Sequence, residues 1–141
     1  MAPSSAVGRW LFKEEPSHYS FDQLLKDGGA RWNGVENNMA LKNLRGVRKN
    51  DDIMFYHTGD EKSVVGLMKA TSDAYPDPDS KEARLVVVDV KPLRKLKRGV
   101  SLAEMKSDVG FAGFDLLRIP RLSVMPVPEK FWSRILKLSE G

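Results

Sequence analysis

Two pairs of adjacent carboxylates are the residues of this chain that most resemble an acid–base site. Glu14-Glu15 and Asp51-Asp52 each place two carboxyl groups side by side in the sequence, and paired carboxyl groups can serve as general acid and base. Neighbouring residues of a strand point to opposite faces, however, and aspartates in a polar turn hydrogen-bond to nearby backbone. The chain also has no nucleophile elbow, phosphate loop, HExxH or CxxC motif. We therefore expect a binding domain without catalytic activity.

Few side chains of this sequence could hold a metal. It has no cysteine, which excludes disulfides, a thiol nucleophile and thiolate zinc sites, and its two histidines are His18 and His57. Each histidine is more simply explained as a hydrogen-bonded residue than as a ligand. We expect neither a metal nor another cofactor.

Five aromatic residues stand next to polar or charged residues near the ends of predicted elements. They are Trp10, Tyr19, Trp32, Tyr56 and Tyr75. Exposed rings stack on nucleic-acid bases, whereas buried rings fill a core, and both interpretations stay open for Trp10 and Tyr56. Trp32 lies in a predicted loop between Arg31 and an Asn-Gly pair, so packing alone explains it less well.

Basic residues cluster at two places in a chain whose formal net charge is +4. The clusters are Lys42-Arg45-Arg48-Lys49 and Lys91-Arg94-Lys95-Lys97-Arg98. Either could contact a phosphate backbone, and either could be an ordinary solvated surface. The charge permits a nucleic-acid partner without requiring one.

Hydrophobic patterning places these residues on short strands and helices. Aromatic and β-branched runs predict strands at residues 9–13, 53–58, 64–71, 85–90 and 121–124. Capping boxes predict helices after Ser20 and Ser101, an asparagine cap predicts another near residue 38, and an apolar face predicts a closing helix at 131–138. The strands at 53–58, 64–71 and 85–90 should be neighbours in one curved sheet.

A single domain is indicated by the even recurrence of apolar segments and by the absence of repeats and linkers. We expect residues 1–8 to be a disordered tail and residues 9–141 to form one α+β domain around a curved or barrel-like sheet. No apolar run approaches the roughly 20 residues of a membrane helix, and the N-terminus does not resemble a signal peptide. We expect a cytoplasmic monomer without a membrane partner.

Several ordered segments together resemble the EVE domain family over nearly the whole chain. The opening Trp10-Leu11-Phe12-Lys13-Glu14-Glu15-Pro16 is similar to the family's W-x-x-K-x-E-P, and Arg31-Trp32-Asn33-Gly34-Val35 precedes an Asn-x-x-Ala segment at 37–40. Further matches are Asp52 with Phe55-Tyr56-His57, Val65-Gly66, Ala74-Tyr75-Pro76-Asp77, Val88-Asp89-Val90, and Arg121-Leu122-Ser123-Val124 with Pro126.

The resemblance implies a PUA-like fold, a curved β-barrel flanked by short helices, related to YTH, ASCH and SRA-type modules. It also implies a groove that takes modified DNA bases, chiefly modified cytosines. In such a groove the rings of Trp10, Trp32 and Tyr56 would sandwich a base, and Glu15 would accept from an exocyclic amine. The remaining ligand-binding residues would be Lys13, Asn37, His57 and Ser123. The residues against the nucleic-acid backbone would be Lys42, Arg45 and Arg121.

One segment departs from the family pattern. After Gly-Val the family reads Arg-Asn-Tyr/Pro-x-Ala-Arg, whereas this chain has Glu36-Asn37-Asn38-Met39-Ala40-Leu41. Glu36 therefore reverses a charge where a phosphate could approach, and Lys42 could supply part of the missing positive charge.

These observations predict a nucleic-acid-binding module that takes a modified base of DNA or RNA in single-stranded or flipped-out form. The six residues Trp10, Lys13, Trp32, Asn37, Tyr56 and Ser123 should then line one pocket at the end of the barrel. The alternative hypotheses are a small-molecule or protein-binding module on the same scaffold, and an enzyme. Steep salt dependence of binding would distinguish a nucleic-acid partner from a neutral ligand.

Overall fold

A curled, mixed β-sheet with short helices around it makes up the computed structural model, which describes residues 7–141. Its strands are β1 (Arg9–Glu14), β2 (Ala30–Trp32), β3 (Asp52–His57), β4 (Ser63–Ala70), β5 (Tyr75–Pro76), β6 (Val86–Ser101) and β7 (Val124–Pro126). Its helices are α1 (Phe21–Asp27), α2 (Asn38–Leu44), α3 (Leu102–Lys106), α4 (Asp115–Arg118) and α5 (Glu129–Glu140), with a 3-10 turn at Val109–Phe111.

The sheet has the strand order β2-β6-β4-β3-β1-β7, and β5 pairs separately with β6. β1 and β3 are parallel, and the other neighbouring strands are antiparallel. The pairing of β4 with β6 shifts register twice, and such bulges bend and twist a sheet. The result is the curved half-barrel that the sequence predicts, and the predicted neighbours at 53–58, 64–71 and 85–90 are β3, β4 and the start of β6.

Aromatic side chains fill the space between the sheet and α1. The ring of Phe55 on β3 lies 5.3 Å from the rings of Phe21 and Trp32, and Trp32 lies 5.3 Å from Phe12 on β1. These edge-on and tilted contacts are the geometries that aromatic pairs prefer. This aromatic cluster ties β1, β2, β3 and α1 into one core.

The predicted helix starts are confirmed at the level of single hydrogen bonds. The Ser20 hydroxyl accepts from the Gln23 N–H at 3.1 Å, and the Ser101 hydroxyl accepts from the Glu104 N–H at 3.1 Å. These bonds satisfy backbone donors that the first turn of a helix leaves without partners. Within residues 7–141 no helix combines the length and the apolar character needed to cross a membrane.

Two strands differ clearly in extent from the sequence-based expectation. The strand predicted at 85–90 continues to Ser101 as β6, because its backbone pairs with β4 although residues 91–98 are mostly charged. The basic residues of this part are all exposed, as expected for a solvated surface. The last strand begins at Val124 instead of residue 121, because Leu122 N–H bonds to the Ile119 carbonyl in a turn.

The predicted tail at residues 1–8 falls partly outside the described residues, which begin at Val7. Within them, the Gly8 N–H donates to Asp51 Oδ1 at 2.8 Å, and the Gly8 carbonyl accepts from the Asp52 N–H at 3.0 Å. Among the described residues, Gly8 is therefore already hydrogen-bonded one residue before β1.

The close approach of Phe21 to Gly66 on β4 gives a test of this packing. A Cβ added to Gly66 would overlap three ring atoms of Phe21, which is buried in the aromatic cluster. We expect Gly66→Ala to lower the free energy of unfolding by about 1–3 kcal/mol, the usual cost of overpacking a core. Gly99→Ala on β6 is the control, because its Cβ would meet the nearest atom at 3.4 Å. Chemical denaturation measures both variants, and equal midpoints would contradict the packing described.

Candidate functional site

One pocket opens at the end of β1 and β2, and we call it the Trp32 pocket. It has a volume of about 130 Å³. Its lining residues are Glu14, His18, Tyr19, Ala30, Arg31, Trp32 and Asn33. The end of β1, the loop leading to α1 and the strand β2 therefore meet here.

Trp32 forms the aromatic wall of this pocket and is also part of the core. It ends β2, where it pairs with Val88 of β6, and only 6% of its surface is exposed. The prediction that Trp32 lies in a loop is therefore wrong, because backbone pairing with β6 and contacts with two phenylalanine rings hold it. Replacing a buried tryptophan with alanine costs about 3–5 kcal/mol, so Trp32→Ala would disturb fold and pocket together.

The carboxylate that lines the Trp32 pocket is Glu14, the last residue of β1. Its Oε1 accepts from the Glu15 N–H at 2.9 Å and lies 3.3 Å from His18 Nδ1. An ionised carboxylate has about four acceptor positions, so Glu14 can still accept from a ligand amine. The sequence could have indicated Glu14 as a pocket residue, because side chains alternate between the two faces of a strand and residue 14 is on the face of Phe12.

Glu15, the carboxylate expected to contact a base, points elsewhere. Its carboxylate lies against Gly59, whose added Cβ would be 2.8 Å from Glu15 Oε2, and it accepts a long 3.4 Å hydrogen bond from the Thr58 hydroxyl. It is not among the residues that line the Trp32 pocket. The two glutamates are adjacent in sequence, but β1 ends between them and their side chains point to different places.

Tyr19 and Arg31 form the rim and are already engaged by neighbours. The Tyr19 hydroxyl donates to Asp27 Oδ2 at 2.7 Å, and burial together with this bond raises the pKa of Tyr19 to about 12. The Arg31 guanidinium donates to the Tyr75 hydroxyl at 3.2 Å and to Asp79 Oδ2 at 3.0 Å. Tyr19 is therefore neutral at pH 7, and the charge of Arg31 is partly balanced.

Lys13 and Tyr56 lie in a different cavity, which we call the Lys13 pocket. It has a volume of about 270 Å³. Its lining residues are Lys13, Tyr56, Thr58, Gly59, Lys62, Leu102, Lys106, Leu116, Leu117 and Pro120. The expected convergence of Lys13 and Tyr56 with Trp32 is therefore wrong, because the pleat of β1 turns Lys13 to the face opposite Phe12 and Glu14.

Within the Lys13 pocket, Lys13 and Tyr56 face each other across paired strands. They are register partners of β1 and β3, and Lys13 Nζ lies 5.6 Å from the centre of the Tyr56 ring. Lys13 Nζ also donates to the Pro120 carbonyl at 2.9 Å. Burial lowers the pKa of Lys13 and raises the pKa of Tyr56 to about 12.

Two further predicted ligand residues serve the fold. Trp10 Nε1 donates to Asp51 Oδ2 at 2.9 Å, and its ring packs over Gly46. Asn37 caps α2, where its Oδ1 accepts from the Ala40 N–H at 3.0 Å. Neither residue lines the Trp32 pocket or the Lys13 pocket, so these parts of the expected convergence are wrong as well.

His57 is 8% exposed and has both ring nitrogens occupied. Nε2 accepts from the Phe21 N–H at 3.0 Å, and Nδ1 lies 2.8 Å from Glu61 Oε1. A backbone N–H can only donate, so Nε2 carries no proton and Nδ1–H donates to Glu61. His57 is thus a neutral residue that holds the start of α1, outside both pockets.

Ser123 and the three expected backbone-binding cations lie outside both pockets. Ser123 accepts from the Lys13 N–H through its own carbonyl at 2.9 Å. Lys42 and Arg45 lie exposed on or next to α2, and Arg121 lies exposed before β7. Their contact with a phosphate backbone stays a prediction. Within residues 7–141 no group of three or more histidine and acidic side chains is arranged to hold a metal ion.

This chain is similar to known proteins in both sequence and structure. The EVE domain model matches residues 8–138. Thymocyte nuclear protein 1 of Rattus norvegicus is 31% identical over 166 aligned residues, covering 94% of this chain and 74% of the relative. A Rhodopseudomonas palustris protein solved by NMR has a TM-score of 0.90 and 36% identity, covering 95% of this chain and 94% of that chain.

A further solved structure contains a ligand. Human THYN1 in complex with 5-methylcytosine-containing DNA has a TM-score of 0.88 and 29% identity, covering 95% of this chain and 98% of that chain. The family match over most of the chain and the agreement of the folds lead to one conclusion: this chain belongs to the EVE domain family and has a PUA-like fold.

Proposed function

We propose that this chain is a non-catalytic DNA-binding domain that takes a methylated cytosine, extruded or single-stranded, into the Trp32 pocket. The observation that carries the proposal is a ring-sized pocket with an aromatic wall and a carboxylate at its edge. The cytoplasmic location, the monomeric state and binding to RNA stay predictions.

The size of the Trp32 pocket supports a single base as its occupant. Its volume of about 130 Å³ is close to that of an engineered cavity of about 150 Å³ that holds benzene. One pyrimidine ring has similar dimensions, and its methyl group would meet the apolar surface of Trp32 and Ala30. A base stacked within a duplex hides its faces, so entry requires a single-stranded or flipped-out nucleotide.

The polar edge of the pocket supports cytosine over thymine. Cytosine presents an N4 amino donor, which Glu and Asp accept, whereas thymine presents an O4 acceptor at the same position. Glu14 is the acidic residue of the lining, and the Asn33 side-chain amide beside Trp32 can both donate and accept.

The relatives support DNA as the partner. Human THYN1, which shares this fold over nearly its whole solved chain, has been crystallised with DNA containing 5-methylcytosine. The net charge of +4 and the exposed cations Lys42, Arg45 and Arg121 suit the same partner. These cations would lie along the phosphates on either side of the extruded nucleotide.

Comparison of 5-methylcytosine with thymine tests the role of Glu14, because both bases carry the 5-methyl group. We expect the wild type to bind a single-stranded oligonucleotide with one 5-methylcytosine about tenfold more tightly than its thymine counterpart, from one specific edge pair. Glu14→Ala should abolish this preference. Fluorescence anisotropy with labelled oligonucleotides measures all four affinities.

Glu15→Ala is the matched control, since it removes an adjacent carboxylate that points away from the pocket. It should keep the preference for 5-methylcytosine while changing the net charge by the same amount. If Glu14→Ala and Glu15→Ala discriminate equally well, the base does not enter beside Glu14. Circular dichroism of both variants establishes that they are folded.

Charge reversal at Glu36 tests the path of the DNA backbone. Glu36 is exposed next to α2, and its carbonyl accepts from Arg84 Nη1 at 2.7 Å. We expect Glu36→Arg to strengthen DNA binding and to steepen the slope of log affinity against log salt by about 0.7–0.9, the change for one added phosphate contact. Glu140→Arg, exposed at the end of α5, is the control for net charge. Identical slopes in the two variants would place the backbone away from α2.

A further inference from the structure

Three lysines, Lys13, Lys62 and Lys106, line the Lys13 pocket. Among residues 7–141 the lysines that pair with a carboxylate within 4 Å are Lys69 and Lys95. The three lysines that line the pocket therefore have no carboxylate partner at that distance. Like charges repel one another in a partly enclosed space, so a bound anion would stabilise the arrangement.

Lys13 gives the strongest support for an anion site, because its ammonium is partly buried. Its ammonium contacts the Pro120 carbonyl and the face of the Tyr56 ring, and neither group carries a full negative charge. Burial lowers the pKa of Lys13, because it removes water from the charged form. An anion at Nζ would replace the hydration that this ammonium has lost.

Lys62 reaches the same cavity from an unusual backbone conformation. Its φ is 45°, in the left-handed region that residues other than glycine and asparagine seldom adopt. The Leu102 N–H donates to the Lys62 carbonyl at 2.8 Å, which ties this residue to the start of α3. Lys106 is on the same helix, so α3 positions the backbones of both Lys62 and Lys106.

The other walls of the Lys13 pocket define what the anion is attached to. Leu102, Leu116, Leu117 and Pro120 give an apolar side, and Tyr56 and Thr58 bring hydroxyl groups. The volume of about 270 Å³ is twice that of the Trp32 pocket. The cavity therefore suits an anionic group joined to an apolar or ring-shaped body.

The acidic residues around the pocket are placed at its margins. Glu15 lies against Gly59 and Thr58. Asp60 and Glu61 line a neighbouring depression, which shares Lys62 and Lys106 with the pocket. Glu61 is already bonded to His57. The lining of the Lys13 pocket itself carries cations and no carboxylate.

We propose that the Lys13 pocket is a second ligand site, which binds a phosphate monoester through Lys13, Lys62 and Lys106. A phosphate monoester carries between one and two negative charges at pH 7 and three acceptor oxygens, which matches three ammonium donors. The body of the ligand packs on the leucines of α3 and α4. The site lies on the opposite face of β1 from the Trp32 pocket, and its occupancy does not depend on base binding.

Phenyl phosphate is a suitable probe, because it joins a phosphate monoester to one apolar ring. Titration of ¹⁵N-labelled protein should shift the amide signals of Gly59, Lys62 and Lys106 in a saturable way. We expect phenyl phosphate to bind at least about tenfold more tightly than phenol, which lacks the charged hydrogen bonds, or than inorganic phosphate, which lacks the ring. Equal affinity for phenol, or shifts that avoid these residues, would overturn the proposal.

Variants separate this site from general attraction of anions. Lys13→Met keeps the length of the side chain and removes the charge, and it should weaken phenyl phosphate binding about tenfold. Lys97→Met on β6, which is exposed and outside the pocket, should bind as the wild type does. Lys106 is exposed, so Lys106→Gln gives the same test if Lys13→Met does not fold. Wild-type affinity in a folded Lys13→Met or in Lys106→Gln would refute the assignment.

A second pair of probes distinguishes the 5′-end of a nucleic acid from a free small molecule as the source of the phosphate monoester. One probe is a thymidine dinucleotide with a 5′-phosphate, and the other is the same dinucleotide without it. The amide shifts that they cause at Gly59, Lys62 and Lys106 should differ only if the pocket takes the 5′-end of a nucleic acid. Tighter binding of the phosphorylated dinucleotide than of phenyl phosphate supports that source, and similar affinity supports a free small molecule. Absence of shifts at these residues with every phosphate probe would refute the site without bearing on base binding in the Trp32 pocket.

Discussion

Strand β1 is hydrogen-bonded along both edges, in parallel to β3 and in antiparallel to β7. A strand held on both sides cannot rotate about its axis, so its pleat assigns each side chain permanently to one face. Phe12 and Glu14 face the aromatic cluster and the Trp32 pocket, whereas Lys13 faces α3 and α4. Adjacent residues of a strand point to opposite faces, so two pockets with different chemistry form at the end of β1.

The double role of Trp32 links binding to stability. Its ring packs on Phe12 and Phe55 while its remaining surface forms the wall of a pocket. A wall built from the core is rigid, and a preorganised site loses less entropy when it takes a ligand. The same arrangement means that substitutions of the wall act on the fold, whereas polar residues at the edge, such as Glu14 and Asn33, can change without disturbing the cluster.

Buried polar groups position the elements around this core. The Asp51 carboxylate is 5% exposed and accepts from the Gly8 N–H, Trp10 Nε1 and the Arg48 N–H. Three donors compensate for its burial without a cation. It thereby joins the start of β1 to the turn before β3. At the other end of β3, His57 performs a similar task by accepting from the first residue of α1. Asp51 and His57 are thus used for assembly of the fold.

The sequence by itself determined the local structure and the family. Serine caps, aromatic strands and the closing amphipathic helix are encoded within a few residues of each other, and the ordered motifs from Trp10 to Pro126 predict a PUA-like sheet that the structure confirms.

The choice between stacking and packing was not decided locally, because both use the same aromatic residues. The site depended on which strands pair. Backbone pairing with β6 buries Trp32, the pleat of β1 separates Lys13 from Glu14, and a cap engages Asn37. These outcomes depend on contacts between residues distant in sequence, and no local pattern records which face of a strand a distant element will cover.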